Sequence, residues 1–589
     1  MTQMNPPDVS RSLKSRWHKA SERWRDQLSG MDALPQLTVL GLLTGILAGI
    51  VIVIFRLLIE IPLHFLLPDN TENFEGLSST WHFALPFVGA VIFGLVLQMI
   101  DKNHHTASIS HVLDRIHNYQ ARMPLGNFIN QLFGGAWCLI TGQSVGREGP
   151  AVHLGAGSGS MLGQWLNLPS NSLRTLAGCG VAAAIAACFN TPMAGVIFAM
   201  EVVVMEYSTA GFIPVILAAV AGTVINQSVF GFSTVFHPPQ VALKSLFELP
   251  FMAISGFIIA IFAALFIELQ ALACKLSLNK PVALRFAVAG LLTGCAAVFT
   301  PQIMGVGYDT IDSALAGNIE FWLLFTIFAA KLFITSISLG VGIPGGVVGP
   351  LLFIGACAGG AIGIIANTLM PQSASAVGFY VLLGMGAMMG AVLNAPLAAM
   401  MAIMELTYNP NVIFPSMLVV VVACLATRWV FRCEGLFQTI LAVQGKKSRF
   451  TAHEQLLSST GARSLLDRHI RISPTTTNLK SAKALLSDHP HWILLIEQKL
   501  LLHPTDLANY LSDNYLSDNE LAADTLLDLL AIPARRVDAI ELEDHTNLYQ
   551  ALLTMNHAQV DVAFIKSSQF SGAGVLTRER IDNFYTIQH

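Results

Sequence analysis

The stretch VGREGP (145–150) sets an arginine and a glutamate side by side among glycines, with apolar segments on both sides. A carboxylate in an apolar medium is costly to keep charged, so Glu148 is a functional candidate before anything else is known. Glycine and proline just ahead of an apolar run mark a helix start. A helix N-terminus offers unpaired N–H groups and the positive end of the helix dipole. Such a start can hold an anion. A glutamate placed there can also fill the anion's place itself, as a tethered competitor, and protonation would discharge and release it. The chemistry suggested is anion passage linked to the protonation of one carboxyl group.

The same form recurs once. GGVVGP (345–350) is also a Gly/Pro-marked helix start, and its N–H donors come from Val347 and Val348, whose side chains are apolar. Gly146, Gly149, Pro150, Gly155, Ala156, Gly159 and Gly163 all recur at an offset of 200 in GGVVGPLLFIGACAGGAIG (345–363). A second pair, NTPMAGVIFAME (190–201) and NAPLAAMMAIME (394–405), matches at an offset of 204. Two matched pairs in order imply a duplication, about 36–230 against 248–435. Duplicated halves with Gly/Pro-interrupted segments at corresponding places point to a central transport site. The series Gly155, Gly159, Gly163 fits close helix packing instead.

These segments need a bilayer around them. Of 589 residues, 53% are hydrophobic and 12% charged, about half the charged share of an ordinary soluble domain. Apolar runs long enough to span a membrane, roughly 20 residues each, recur between Leu37 and Phe431. Basic stretches flank the set, RSLKSRWHKASERWR before it and KKSR (446–449) after it, so both ends are expected in the cytoplasm of a cell (inner) membrane protein. No cleavable signal is visible, because the first thirty residues are polar and basic. The eight cysteines have no metal spacing and read as small packing residues. A near-neutral net charge of −4 gives no reason to expect nucleic acid.

After about residue 450 the composition becomes that of a soluble domain. TNLKSA (477–482) and TNLYQA (546–551) each precede a helix-like stretch, then an alternating strand-like run, WILLIE and VDVAFIK, then a second helix start. This predicts one small α/β module, about 465–589, after a linker at 441–464.

These residues resemble the CLC family of chloride channels and chloride/proton exchangers. GREGP with Glu148 is similar to the family's most diagnostic motif, GIPGGVVGP (342–350) to its GxxPGGxFxP element with Val348 for phenylalanine, and NTPMAGVIFAME to its N-x-P-x-x-G-x-x-F-x-x-E segment. The resemblance covers about 36–440, and the tail resembles the paired CBS modules of many members. It implies an all-α polytopic fold, an inverted repeat of tilted and partly spanning helices, working as a homodimer with a separate pathway per subunit. It implies chloride as the transported ion, possible proton exchange, no cofactor and no catalytic residue. Gly146, Arg147, Glu148, Val347, Val348, Ser108 and Phe437 are the expected anion contacts, with Arg147 acting mainly through structure and charge.

Three departures stand out. The family's GSGIP serine should lie about 40 residues before Glu148, where this chain reads TASIS (106–110). Ser108 is the candidate contact, although Ala107 takes that place in an ungapped match. The family's tyrosine near the last membrane helix becomes Phe437, without a hydroxyl. Exchangers carry two glutamates in tandem where this chain has Glu201 then Val202, so the internal proton acceptor is missing, and Glu206 is a weaker substitute. These departures lean toward uncoupled or weakly proton-coupled passage, with stoichiometric chloride/proton antiport as the alternative.

Other residues carry bland readings beside sharper ones. Glu201 and Glu405 are repeat-related and expected to cap or pair within the fold. Lys331 either raises the anion potential of the pathway or extends to an interface. His153 is expected as a packed neutral histidine rather than a proton relay. In the tail, Asp506 and Thr577 each retain half of the CBS nucleotide signature, with His503 and Arg580 at the other positions, so dimerisation is the simpler role. A membrane-embedded enzyme is disfavoured, since no HExxH, GxSxG or paired-carboxylate pattern accompanies Glu148. A cation carrier is disfavoured because backbone N–H donors have the wrong polarity. Nitrate, fluoride and bromide remain open beside chloride.

Overall fold

The computed structural model describes residues 34–67, 73–105, 108–206, 209–232, 236, 242–446, 452–514, 526–543, 545–566 and 573–587. The basic N-terminal stretch, Ala107 and most of KKSR lie outside them. The chain forms two units, the larger spanning Leu34–Leu166 and Leu173–Arg449, the smaller containing 450–589.

The larger unit is helical. Nine of its described helices are long and apolar enough to cross a membrane, from Leu34–Leu66 to Pro410–Val430. Shorter helices complete it, and several of these position the site. We label α1 Ile109–Asn118, α2 Glu148–Trp165, α3 Pro192–Phe198, α4 Val282–Phe299, α5 Val348–Leu369, α6 Pro396–Thr407 and α7 Leu436–Val443.

The duplication is visible in three dimensions. Helices α2 and α5 begin at Glu148 and Val348, each with the preceding residue as N-cap. The two loops before them exchange backbone hydrogen bonds, Gly146 N–H to Gly346 O at 2.8 Å and Gly346 N–H to Gly146 O at 2.6 Å. Each loop therefore satisfies the polar backbone of the other in a fully buried place. A Cβ on Gly149 would lie 2.7 Å from Gly346 Cα, so the contact requires glycine.

The glycine stripes do what packing requires. A Cβ on Gly155 or Gly159 would strike the backbone of helix Ser170–Phe189 at Gly180 and Leu176. Gly355 and Gly359 meet Gly384 and Tyr380 of helix Val377–Leu393 in the same way. Small residues let these helices approach to backbone contact, where dispersion is strongest.

The glutamates that end the repeated N-x-P segments act as structural caps. Glu405 accepts from Met193 N–H at 3.0 Å and Ala194 N–H at 2.7 Å, at the start of α3. Glu201 accepts from Leu397 N–H at 3.3 Å and Ala398 N–H at 2.7 Å, at the start of α6. Each half thus supplies the carboxylate that caps a helix of the other. After α3 the chain continues as a wide π turn over Ala199–Val204, and Met205 leaves it in the left-handed region at φ 55°.

The smaller unit is α/β. Its six-stranded sheet runs β1-β3-β4-β6-β7-β8, with β1 Ile470–Ser473, β3 Trp492–Leu495, β4 Leu500–Leu502, β6 Arg536–Leu542, β7 Val562–Lys566 and β8 Ala573–Thr577. A separate antiparallel pair joins β2 Thr476–Asn478 to β5 Leu526–Asp528. The repeated Thr-Asn-Leu has a local cause. Asn478 accepts from Ser481 N–H and Asn547 from Gln550 N–H, both at 2.8 Å, so each opens a helix as its N-cap. Leu479 and Leu548, next in each motif, are buried in separate apolar clusters. The stretch 441–464 is more than a linker. It contains the end of α7 and the helix Ala452–Ser459, whose Leu457 is fully buried in the tail's core.

Candidate functional site

Glu148 is fully buried as the first residue of α2. Tyr308 Oη donates to its Oε1 at 3.3 Å, and its Oε2 has no hydrogen-bond partner among the described residues. The carboxylate lies against bare backbone of the opposite half. A Cβ on Gly346 would be 2.6 Å from Oε2, and one on Gly349 would be 2.7 Å from Oε1. The glycines of GGVVGP are thus what allow the carboxylate to reach the start of α5. A negative charge at two helix N-termini is stabilised by their dipoles.

Two cavities approach this junction from different residues. The larger, about 160 Å³, is lined by Ser108, Ile343, Gly345, Val347, Phe437 and Ile440 among others. The smaller, about 50 Å³, is lined by Arg147, Gly305, Val306, Arg56 and Glu60 among others. Glu148 lines neither; it lies where the residues bordering both meet. Its neighbour Arg147 stacks over the rings of Tyr308 and Phe189, at 5.2 and 5.8 Å.

The structure thus brings Ser108, Val347 and Phe437 to one cavity, while Glu148, Val348 and Gly349 are adjacent in chain or contact but do not line it. The N–H of Gly146, one of the expected anion contacts, donates to Gly346 O. Ser108 takes φ 85°, a conformation that favours glycine, and its hydroxyl lies 3.0 Å from that of Ser110. Val202, buried in the π turn, brings an apolar side chain to that position.

Of the two readings of Lys331, extension to an interface fails, because the side chain is fully buried. It donates to Ile303 O and Gly305 O at 2.8 Å each, and lies 4.8 Å from the Phe353 ring. It shapes the 303–305 loop, because a buried ammonium must find acceptors and these carbonyls supply them. His153 is fully buried, as its packed reading expects, and its Nε2 lies 2.8 Å from His111 Nδ1. The seven cysteines other than Cys295 are buried, and no disulfide joins any of the eight.

Tyr308 was not singled out from the sequence. It follows Gly307 (φ 80°) as Ile109 follows Ser108 (φ 85°), so extending the repeat alignment to GVGYD would have flagged it.

In the tail, Asp506 Oδ2 accepts from Arg535 N–H at 3.2 Å. Thr577 Oγ1 accepts from Arg580 N–H at 3.4 Å. The Arg580 guanidinium pairs with Asp467 Oδ2 at 3.0 Å and donates to Leu465 O at 3.2 Å. Burial tends to raise the Asp467 carboxyl. The bonds from His491 and from the His469 N–H, with the Arg580 charge, more than offset this and hold it below the usual carboxylate range.

Fold and site together define a multi-pass membrane protein whose related halves meet at one buried carboxylate. Residues 88–428 match the family described as voltage gated chloride channel, so the chain belongs to the CLC family. It is 32% identical over 286 residues to a ClcB-like protein of Ralstonia nicotianae, covering 48% of this chain and 67% of that one. It is 28% identical over 398 residues to the H(+)/Cl(-) exchange transporter ClcA of Vibrio vulnificus, covering 64% and 83%. A slow cyanobacterial Cl−/H+ antiporter superposes with a TM-score of 0.60 at 22% identity, over 71% of this chain and 99% of that one. A eukaryotic CLC transporter gives 0.59 at 18% identity over 93% and 98%. At these identities the structures establish the fold, an inverted repeat of helices followed by a tail that fits a CBS pair.

Proposed function

We propose that this protein carries chloride across a cell membrane, with Glu148 as a carboxylate plug that competes with the ion for the junction of α2 and α5. The observation that carries this reading is the burial of Glu148 against the backbone of the opposite half, between two cavities bordered by its own neighbours. Protonation discharges the plug and lets it leave; ionisation returns it. Backbone N–H groups of Val347 and Val348 then offer the donors an anion requires.

The coupling reading remains weak or absent proton exchange, supported by the buried Val202 and by Phe437, which brings no hydroxyl to the cavity. Stoichiometric antiport is the second reading, favoured because the Vibrio vulnificus relative is named an exchange transporter. Chloride and proton movement recorded together from proteoliposomes separate the two. Proton uptake against an imposed proton gradient, abolished by Glu148→Ala, establishes antiport. Chloride flux without proportionate proton flux establishes the weakly coupled reading. Bromide, nitrate and fluoride in place of chloride define the selectivity of the same preparation.

We further place both termini in the cytoplasm and the working unit as a homodimer. The tail acts as a dimerisation module rather than a nucleotide site, a reading supported by Arg580, which stands at the signature's aspartate position with its guanidinium held by Asp467 and Leu465.

A further inference from the structure

We propose that Arg285 forms an anion-docking site in the wall of the larger cavity, distinct from the Glu148 junction. A small monovalent inorganic anion, chloride above all, would dock there before reaching the residues around Val347 and Phe437. The inference rests on the chloride reading and adds a residue to it.

The charges around the cavity single out this side chain. Arg285, Lys446, His105 and His111 line it, and no carboxylate does so among the described residues. Lys446 is neutralised by Asp114, whose Oδ2 lies 2.7 Å from its Nζ. His111 is engaged by His153 and by Arg115, whose Nε lies 3.3 Å from its Nε2. His105 Nε2 lies 2.9 Å from Ile100 O. The Arg285 guanidinium makes no hydrogen bond or ion pair with any described residue, and its Nε is buried without a partner.

The position is unfavourable unless something binds. Arg285 stands in the first turn of α4, where the helix dipole disfavours a cation. It is only half-exposed, so water compensates it incompletely. Gly342, whose φ of 98° favours glycine, borders the same cavity, and a Cβ on it would stand at ordinary van der Waals distance, 3.9 Å, from Arg285 Nη1. The rest of the wall is neutral and polar, with Gln270, Ser277 and Gln444 on the same cavity. An unpaired guanidinium on a cavity that also carries neutral amides suits a small anion that must bind and leave. A divalent or bulky organic anion gains less from one charge and a narrow wall.

The test is the initial rate of chloride flux by the full-length protein in proteoliposomes, measured against chloride concentration with ionic strength held by gluconate. Arg285→Gln is expected to raise the half-saturating chloride concentration roughly three- to tenfold while keeping the saturated rate. Arg285→Lys should stay within about twofold of the parent, because the charge remains. In the unmodified protein, repeating the chloride series at a higher ionic strength should raise half-saturation, since screening weakens a partly exposed charge. Unchanged half-saturation in Arg285→Gln overturns the proposal, as does a fall in saturated rate alone. If that variant does not fold, insensitivity of the unmodified protein to ionic strength overturns it instead. Absence of chloride flux from the unmodified protein is a different failure, and it falls on the chloride reading.

Discussion

The membrane unit uses glutamate in two opposite ways. Glu201 and Glu405 are a matched pair, each accepting two backbone N–H bonds at the start of the other half's helix. Glu148 has no such match, because Val348 holds the equivalent place and Glu148 accepts one side-chain bond, from Tyr308 at 3.3 Å. Chemistry repeated in both halves maintains the fold. Chemistry present in one half, on a backbone frame that both halves build, is available for function. Glu248 limits the rule, since it too lacks a counterpart in the other half (Ala48 at the offset of 200) and is separated from Glu148 by its hydrogen bonding. It is fully buried, but Ser375 and Tyr380 give it three hydrogen bonds at 2.9, 3.0 and 2.8 Å, and it reads as structural.

The shared frame is the most sensitive part of that comparison. Gly149→Ala forces a Cβ into the Gly345–Gly346 backbone and should cost about 3 kcal/mol or more, or prevent folding. Thermal unfolding in detergent measures this, and an unchanged midpoint would mean the two loops are not packed as described. The capping pair comes next. Glu405→Gln and Glu201→Gln should each lose about 1–3 kcal/mol, and by similar amounts, since each removes a charge-assisted acceptor from two N–H groups. A large loss from one and none from the other would break the symmetry argument.

Val202→Glu sharpens the functional side. It restores an acidic group after Glu201 and should increase proton movement per chloride in paired flux recordings, while wild-type coupling from the variant would show that this position is not the limiting one. The smallest effect is expected in the tail. The Asp467 carboxyl is depressed in the folded state, so its contribution to stability is complete above the ordinary carboxylate range and is lost as pH falls through its folded value. Asp467→Asn should therefore cost about 1 kcal/mol near pH 7 and less below about pH 4, by thermal unfolding of the whole chain across pH.

Much of this was legible in the chain. Gly-Pro punctuation located the starts of α2 and α5, because those residues set backbone geometry locally. The repeat marks Glu148 as an unmatched glutamate, and the i, i+4 spacing of Gly155, Gly159 and Gly163 marks a packing stripe. What escaped depends on distant partners. The mutual bonds of Gly146 and Gly346 join loops 200 positions apart. Tyr308 reaches Glu148 across 160 positions, and Lys331 finds carbonyls in a loop that its own apolar run does not announce. In the tail, WILLIE and VDVAFIK gave β3 and β7, whereas β4 and β2 are three residues each, too short for an alternating pattern to register.

The central claim is that Glu148 and chloride compete for one place, and the direct measurement is chloride efflux from proteoliposomes across pH for the parent and Glu148→Gln. The account predicts that parental flux rises as pH falls, while the variant, whose side chain cannot ionise, is rapid and indifferent to pH. A variant that keeps the parental pH dependence would contradict it, and the gate would have to be sought in another group.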